Sequence, residues 1–326
     1  MKHWTEEKEI GKVWKIYFSR FVYKIFGRNL MMIYLIFPVS MIYFIYYFAS
    51  GRIKASKDFL KRISKYNKKA KANIFHYYKH LVSFIVTVCE KFAAWNGDIP
   101  LKDLTLKTKE DYDKIIDLLE RKKGIIILFA HLGNIELLKA LAAINEGNPI
   151  KNCKINIVMD FNMNKNVNIM IASAKNSKDN SVDFIDAKNV GPETIISMES
   201  KLNNGEIIAI AGDRTSSKSD KVNLVNFLGD DAPFPYGAFL IPVLLKYPTY
   251  YFFALRERDK IIPKRYDFYI YESKIISNIQ NKRITKIDKS KIVLELTKEF
   301  ADIVERHVIK YPYQWYNMYC FWNQEN

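Results

Sequence analysis

The sequence has little of what marks several common protein classes. Its three cysteines, Cys89, Cys153 and Cys320, lie far apart and never as C-x-x-C, which disfavours a disulfide framework and a cysteine zinc site. With 12 glycines and 10 prolines in 326 residues, the composition is that of a folded chain. The sequence has no internal repeat, no low-complexity tract and no G-x-S-x-G nucleophile motif. The missing motif disfavours a hydrolase that uses such a nucleophile.

Acidic residues are also scarce relative to basic ones. The chain has 35 Asp and Glu against 51 Lys and Arg, a formal net charge of +16. Such an excess favours anionic partners, whether nucleic acid, phospholipid headgroups or an acidic protein. The basic residues cluster around an apolar segment near the amino terminus, and no zinc-finger, helix-turn-helix or RNA-recognition signature accompanies them. The sequence therefore favours a membrane or an acidic protein over nucleic acid.

Residues 30–51 carry no charge and are long enough to cross a bilayer as a helix. No small-residue cleavage site of a signal peptide follows them. Before this run, apolar residues recur at the spacing of an interfacial helix: Trp14, Phe18, Phe21 and Ile25. After it, residues 52–71 hold nine Lys or Arg against one Asp. Because both flanks are basic and Pro38 can kink the run, we favour a helix inserted from the cytoplasmic face over a true span. A buried core helix is the alternative.

This pattern divides the chain into a membrane-anchoring segment, residues 1–71, and a catalytic domain, residues 72–326. Beyond residue 100, short apolar runs alternate with longer mixed segments. The predicted strands are "GIIILFA", "KINIVMD", "EIIAIAGD", "TYYFFALR" and "YDFYIYES". The predicted helices are "FHYYKHLVSFIVTVCEKF", "NIELLKALAAI", "PETIISMESKLNNG" and a last one over about 289–309. This alternation predicts an α/β fold with a mixed, partly parallel sheet flanked by helices.

The segment "ILFAHLGNIELLKA" places His131 directly after a predicted strand, at the edge where parallel sheets bind ligands. In one helix, His131 and Glu136 would point about 140° apart. With a turn at Gly133, Glu136 falls in the first turn of the next helix and can point back at the imidazole. A carboxylate bound to one imidazole nitrogen fixes the tautomer, and the other nitrogen can then take a proton. The pair is therefore a candidate general base, although an H-x4-E match alone often occurs by chance.

Three other blocks have both a functional and a structural interpretation. "IAIAGDRT" ends a strand with Asp213 and Arg214, where a guanidinium can bind phosphate or form a surface ion pair. "FLGDDAPFPYGAFLIPVLL" joins a turn to an apolar helix, which suits either an apolar tunnel or a tight turn. "YPYQWYNMYCFWN" is dense in aromatic residues and is compatible with a core cluster. His76 and His80 are spaced to share a metal ion, but a hydrogen-bonded His80 in a helix under the site is favoured.

In this order, the blocks resemble the lysophospholipid acyltransferase superfamily, in the branch of the late (lauroyl and myristoyl) acyltransferases of lipid A. Within it, the chain is most similar to predicted acyltransferases of which some are linked to aryl-polyene pathways. The resemblance covers nearly the whole chain, and its strongest motifs are "AHLGNIELL", "GDRT", "FLGDDAPFPYG" and "PYQWYN". The chain departs from the subgroup at Glu90-Lys91, where Asp-Arg is common, and at Lys139, where Arg is common.

The resemblance implies a glycerolipid-acyltransferase-like fold and a membrane-associated enzyme. It would move an acyl chain from acyl carrier protein, or coenzyme A, to a hydroxyl or amine of a lipid or glycolipid acceptor. His131 would be the base and Glu136 its partner, and backbone amides near Gly133 could bind the oxyanion. The implied substrate-binding residues are Gly133, Asn134, Lys139, Asp213, Arg214, Phe234, Tyr236 and Gly237.

The same resemblance implies no cofactor or metal beyond the acyl thioester as co-substrate. The expected partners are acyl carrier protein, anionic membrane lipids and the lipid acceptor, without nucleic acid. The expected location is the inner membrane, with the catalytic domain on its cytoplasmic face. A lipid hydrolase and a non-catalytic membrane adaptor with the same fold are the alternatives.

Overall fold

The computed structural model describes residues 13–96, 98–138, 149–160, 182–215, 221–262 and 264–322, and the account below concerns these residues. Nine strands are present in them: β1 (Leu104–Leu106), β2 (Ile125–Phe129), β3 (Ile155–Met159), β4 (Val182–Asp186), β5 (Ile207–Ala211), β6 (Val222–Phe227), β7 (Asp230–Pro235), β8 (Thr249–Arg256) and β9 (Tyr266–Glu272). The nine α-helices of the same residues are α1 (Val13–Tyr34), α2 (Ser40–Ala49), α3 (Ile53–Ile63), α4 (Ile74–Asn96), α5 (Lys109–Glu120), α6 (Pro192–Asn203), α7 (Tyr236–Leu245), α8 (Lys274–Ile279) and α9 (Lys286–Lys310).

Seven of the strands form one sheet in the order β1-β9-β8-β2-β5-β3-β4. Only the β8–β9 pair is antiparallel; the other five neighbouring pairs are parallel. The central strand β2 is buried at every position, as expected for a parallel strand covered on both faces. Helices flank this sheet, so the predicted mixed α/β fold is confirmed, as are the five predicted strands.

One region differs from the sequence prediction, and a second lies mostly outside the described residues. The block "FLGDDAPFPYGAFLIPVLL" predicts a turn before an apolar helix; the helix is present as α7, but the residues before it form β7, which pairs with β6 in a hairpin. Its turn, Leu228–Gly229, has positive φ at both residues, which suits the twist of a two-residue hairpin. The helix predicted over "NIELLKALAAI" lies mostly in residues 139–148, outside the described part, and stays a prediction; its described start is a 3-10 turn, Ile135–Leu137.

The amino-terminal helices form a layer along α4. The chain bends sharply at Gly27, where φ is 69°, and Pro38 lies in a π-helical turn, Leu35–Val39, that joins α1 to α2. The stretch Gly27–Ala49 is long and apolar enough to cross a membrane. One side of it is buried against the rest of the chain, with Met31 0 % and Leu35 3 % exposed. The other side exposes large apolar residues: Phe37 (64 %), Met41 (58 %), Ile42 (66 %), Ile45 (70 %) and Phe48 (54 %). An apolar amino-terminal helix with one outward apolar face is therefore present.

Candidate active site

His131 and Asp213 lie side by side because they follow two neighbouring parallel strands. β2 and β5 are paired in register up to Phe129, which lies opposite Ala211. Two positions beyond these residues, His131 therefore lies next to Asp213. His131 Nδ1 lies 2.7 Å from Asp213 Oδ1, and the His131 backbone N–H donates to Oδ2 at 2.8 Å. The Asp213 side chain is 1 % exposed and that of His131 is 31 % exposed. One carboxylate thus holds both the ring and the backbone of the histidine.

The carboxyl-terminal segment, residues 311–322, also binds Asp213 and so helps to fix its carboxylate. Trp315 Nε1 donates to Asp213 Oδ2 at 3.2 Å, and the Tyr319 hydroxyl donates to the Asp213 carbonyl at 3.2 Å. Burial alone would raise the pKa of Asp213, but the charge and hydrogen bonds of His131 outweigh burial and hold that pKa below its usual value. Asp213 is therefore an ionised acceptor, and the imidazole donates to it through Nδ1–H.

This arrangement leaves Nε2 of His131 as the unprotonated nitrogen. Burial, followed by the charge of Arg214, lowers the pKa of His131 below its usual 6.5. The ring is therefore neutral at pH 7, with a lone pair on Nε2 that can accept a proton. A partly exposed, neutral imidazole oriented by a buried carboxylate is the geometry of a general base.

Glu136 does not take the place that the sequence predicted for it. Its Oε1 lies 2.6 Å from Lys91 Nζ in α4, and the carboxylate on His131 is Asp213 instead. The predicted hydrogen bond between His131 and Glu136 is therefore wrong. The reason is the strand register, which brings Asp213 to the imidazole, whereas the turn after Gly133 aims Glu136 at α4. A direct catalytic role of Glu136 stays a prediction.

Gly133 is required by the backbone of this turn. Its φ is +76°, and a Cβ at this position would overlap the carbonyl oxygen of Ala254 in β8. Its amide donates to the Gln314 carbonyl at 2.8 Å, and the next amide donates to Ala254 O at 3.0 Å. These two amides already have carbonyl partners and do not offer a free donor to an oxyanion. Oxyanion binding by other backbone amides near Gly133 stays a prediction.

The Asn134 side chain offers an N–H donor that no described residue uses. Its Oδ1 accepts the Glu136 backbone N–H at 3.2 Å and so caps the 3-10 turn. That bond fixes the orientation of the carboxamide, because only the oxygen can accept. The side chain is 3 % exposed, and its Nδ2 is buried without a hydrogen-bond partner among the described residues. Asn134 therefore presents a buried N–H donor three positions after the histidine.

Arg214 lies at the same sheet edge, as predicted. Its Nη2 donates to the Tyr316 carbonyl at 2.9 Å, and its guanidinium lies 5.8 Å from the centre of the Tyr319 ring. The side chain is half-buried and close enough to His131 to depress the pKa of the imidazole. Phosphate binding by Arg214 stays a prediction.

Tyr316 connects this edge to a buried ion pair. Its backbone N–H donates to the His131 carbonyl at 2.7 Å, and its hydroxyl accepts from Arg256 Nη2 at 2.6 Å. Arg256 Nη1 lies 3.7 Å from Glu90 Oε2, and both side chains are 2 % exposed. Sequence reasoning assigned no site role to Tyr316, Trp315 or Arg256. The signal for the first two is the block "PYQWYN", which by itself indicates a core cluster of aromatic residues.

The other predicted binding residues have mixed placements. Phe234 is 1 % exposed and contacts the rings of Phe227, Phe300 and Phe321, so its side chain lies in an aromatic core and not at an open surface. Tyr236 is half-buried under the ammonium of Lys221, and Gly237 is exposed with open space around it. Lys139 lies outside the described residues. The structure therefore brings His131, Gly133, Asn134, Asp213 and Arg214 together; substrate binding by Lys139, Phe234, Tyr236 and Gly237 stays a prediction.

His80 is a buried support of the carboxyl-terminal segment. Its Nε2 donates to the Trp315 carbonyl at 2.8 Å, and its Nδ1 accepts from Ser56 at 2.9 Å, so the favoured hydrogen-bonded role is confirmed. Burial lowers the pKa of His80 to about 4, which keeps it neutral. His76 instead contacts the Tyr313 hydroxyl. The two histidines thus have different partners, and among the described residues no group of three or more His, Cys, Asp or Glu could hold a metal ion.

Comparison with protein families identifies the reaction class. A family model described as bacterial lipid A biosynthesis acyltransferase matches residues 79–323, well over half of the chain. The chain belongs to this family. The match runs from α4 to the carboxyl-terminal segment, so it includes His131, Asp213 and Trp315. A lipid A acyltransferase requires an acyl donor and a lipid acceptor. Among curated proteins, none matches the chain significantly.

Proposed function

We propose that this chain transfers a fatty acyl group from a thioester donor to a hydroxyl or amine of a lipid or glycolipid acceptor, with His131 as general base and Asp213 as its orienting carboxylate. The observation that carries the proposal is the 2.7 Å contact between His131 Nδ1 and Asp213 Oδ1. It directs the lone pair of Nε2 outward on a side chain that is 31 % exposed. The late lipid A type of transferase, and the aryl-polyene-linked subgroup within it, are the finer assignments that we favour from the motifs.

The reaction follows from that protonation state. Nε2 of His131 removes the proton of the acceptor O–H or N–H as the acceptor atom attacks the thioester carbonyl carbon. The resulting tetrahedral oxyanion collapses, the carbon–sulfur bond breaks, and the leaving thiolate takes the proton back from the imidazolium. Asp213 stabilises the imidazolium between these steps. The chemistry uses only side chains and the acyl thioester, and we propose no other cofactor.

For the oxyanion we propose the Asn134 carboxamide, since its Nδ2 is a buried donor without a partner among the described residues. A preorganised donor in a desolvated site contributes typically 10²–10³-fold to acyl transfer. The nearby guanidinium of Arg214 adds positive charge, because it acts on His131 and therefore lies within electrostatic range of the reacting atoms.

For the donor we propose acyl carrier protein. The chain carries a net charge of +16, and α3 exposes lysines on its outer face, among them Lys54, Lys57 and Lys61. The buried face of α3 places Phe59 against Trp315, 5.0 Å between ring centres, so the basic face lies one helix away from the carboxylate partner of His131. An acidic carrier protein is complementary to such a surface.

We propose that Gly27–Ala49 lies within one leaflet of the inner membrane, on its cytoplasmic face. The segment packs against the folded domain along its length, from buried Met31 to Tyr47, whose hydroxyl lies 3.1 Å from Ser56 Oγ in α3. If the segment crossed the bilayer, the charged domain that packs along it would also enter the hydrocarbon core, and the burial of charges there is costly. The outward apolar face and the basic residues 52–71 instead suit a helix lying in an anionic interface.

A direct experiment tests the proposal. The full-length chain in detergent micelles would be mixed with dodecanoyl-acyl carrier protein and a lipid A precursor, and the lipids would be analysed by mass spectrometry. We expect a product heavier by one acyl chain, absent with His131→Ala and greatly reduced with Asp213→Asn. Release of free fatty acid without an acylated lipid would show a hydrolase. No reaction with either acyl carrier protein or coenzyme A donors would refute the proposed transfer.

A further inference from the structure

Asn317 is a buried polar side chain that has nothing to bind within the described structure. It is 1 % exposed, and both its Oδ1 and its Nδ2 lack a hydrogen-bond partner among the described residues. A buried carboxamide that leaves its oxygen and its N–H groups unpaired is rare in folded proteins, because each unpaired group costs stability. A ligand that binds both groups of the carboxamide would account for them.

Other buried polar side chains in the same segment are paired. Gln314 binds the backbone N–H and carbonyl of Arg256 at 2.7 and 3.0 Å, Trp315 binds Asp213, and the Tyr316 hydroxyl binds Arg256. Asn317 follows them directly, in a tight turn closed by a bond from the Met318 N–H to the Tyr316 carbonyl at 3.0 Å. The side chains of Gln314, Trp315 and Tyr316 thus have hydrogen-bond partners, whereas the carboxamide of Asn317 has none among the described residues.

The neighbours of Asn317 place it between the catalytic edge and the membrane segment. On one side, Tyr316 contacts His131 and Arg214 through its backbone. On the other side, the sulfur of Met318 accepts the hydroxyl of Tyr47, in α2, at 3.7 Å. We expect a lipid acceptor that enters from the membrane to approach Nε2 of His131 from the α2 side.

We propose that Asn317 binds a neutral polar group of the lipid acceptor, a hydroxyl or an amide adjacent to the group that is acylated. The proposal rests on the proposed acyl transfer. A carboxamide offers a donor and an acceptor and carries no charge, so it complements a group that also does both, and not a phosphate. The contact of the next residue, Met318, with Tyr47 of the apolar segment points to the lipid acceptor.

The test uses a substitution that separates binding from folding. Asn317→Leu has a similar volume and keeps the backbone, since φ at this position is negative. Because it removes unpaired polar atoms from a buried site, we expect a melting temperature equal to or higher than that of the wild type. With dodecanoyl-acyl carrier protein saturating, we expect about a tenfold higher KM for the lipid A precursor and an unchanged KM for the donor.

Asn156→Leu is the matched control, since Asn156 is also buried but has a full set of partners on Glu206, Ile207 and Lys201. It should lower the melting temperature. If Asn317→Leu lowers the melting temperature like the control and leaves the acceptor KM unchanged, Asn317 is structural and the proposal is wrong. Unchanged kinetics at unchanged stability would overturn it equally.

If Asn317→Leu does not fold, Asn317→Ala gives the same kinetic readout without added bulk. A raised acceptor KM in that variant supports the proposal, and a normal one overturns it. The wild type serves as the reference throughout. If the wild type transfers no acyl chain, the proposed function fails, whereas transfer by the wild type with no effect at Asn317 refutes only this inference.

Discussion

Asp213→Asn is the substitution that tests the active site most sharply, because the hydrogen bonds around the carboxylate dictate how an amide would sit. Oδ2 accepts two donors, the His131 backbone N–H and Trp315 Nε1. In the variant, the amide oxygen must stay at that position, so the NH₂ group takes the position of Oδ1, facing His131 Nδ1. Nδ1 must then become an acceptor. The ring proton moves to Nε2, which can no longer take a proton from the acceptor.

The expected cost is large and falls on turnover. Loss of a correctly oriented general base is worth roughly 10²–10⁴ in rate, and we expect kcat to fall about 10³-fold, equivalent to ~4 kcal/mol of transition-state stabilisation. The KM values for donor and acceptor should change little, because the variant is isosteric and touches neither substrate. The assay is transfer from dodecanoyl-acyl carrier protein to a lipid A precursor, with His131→Ala as the lower limit.

The pH profile gives a second readout of the same pair. Since the pKa of His131 lies below 6.5, the wild-type rate should be maximal near neutral pH and fall as the ring is protonated in acid. The Asp213 charge raises that pKa, so its removal should move the acid limb of any residual activity to lower pH. Glu136→Gln is the comparison. If it abolishes transfer while Asp213→Asn keeps a tenth of the activity or more, Asp213 is not the orienting carboxylate.

Three further outcomes follow from the same contacts. Gly133→Ala should lower the free energy of unfolding by about 2–4 kcal/mol in urea denaturation, because the added Cβ overlaps the Ala254 carbonyl at a positive φ; an unchanged midpoint would mean that the turn is built differently. Arg214→Lys should lose the bond to the Tyr316 carbonyl and raise KM for only one substrate, whereas wild-type kinetics would remove Arg214 from the site. Deletion of residues 1–51 should shift the chain toward the soluble fraction and leave a residual binding to anionic vesicles that weakens in high salt, so salt-resistant pelleting would contradict the proposed anchor.

The comparison of Glu136 with Asp213 shows where sequence reasoning succeeded and failed. Both strands that lead to the site were predictable from their apolar runs, and so was the shared sheet edge of His131 and Asp213. The partner was not, because it depends on which strand neighbours β2 and in which register. Glu136 is five residues from the histidine, whereas Asp213 is 82 residues away. Local spacing drew the prediction to the nearer carboxylate, although both residues of the true pair follow their strands by two positions.

Two other parts were unpredictable for different reasons. The β6–β7 hairpin combines Asp and Pro residues in β7 with a turn at Leu228, a residue that rarely adopts positive φ, so neither strand nor turn has a strong sequence signal. The pairing of the carboxyl-terminal segment with the turn after β2 joins two irregular segments. These contacts form only after the sheet and α9 have brought the two segments together. No periodicity in "PYQWYN" indicates that they form.

The two carboxylates also differ in the field that they exert on His131. The Glu136 charge lies 2.6 Å from the Lys91 ammonium, so the pair is nearly neutral as a whole and its field falls off faster than that of a single charge. Asp213 has no cation hydrogen-bonded to its carboxylate among the described residues, although the Arg214 charge is close enough to lower its pKa; its two oxygens accept from N–H groups of His131 and Trp315. Hydrogen bonds from N–H groups do not cancel the negative charge of Asp213, and this charge lies at hydrogen-bond distance from His131 Nδ1. When Nε2 gains a proton, the stabilisation of the imidazolium therefore comes mainly from Asp213, and Glu136 can contribute only through Lys91 or through a substrate that separates the two.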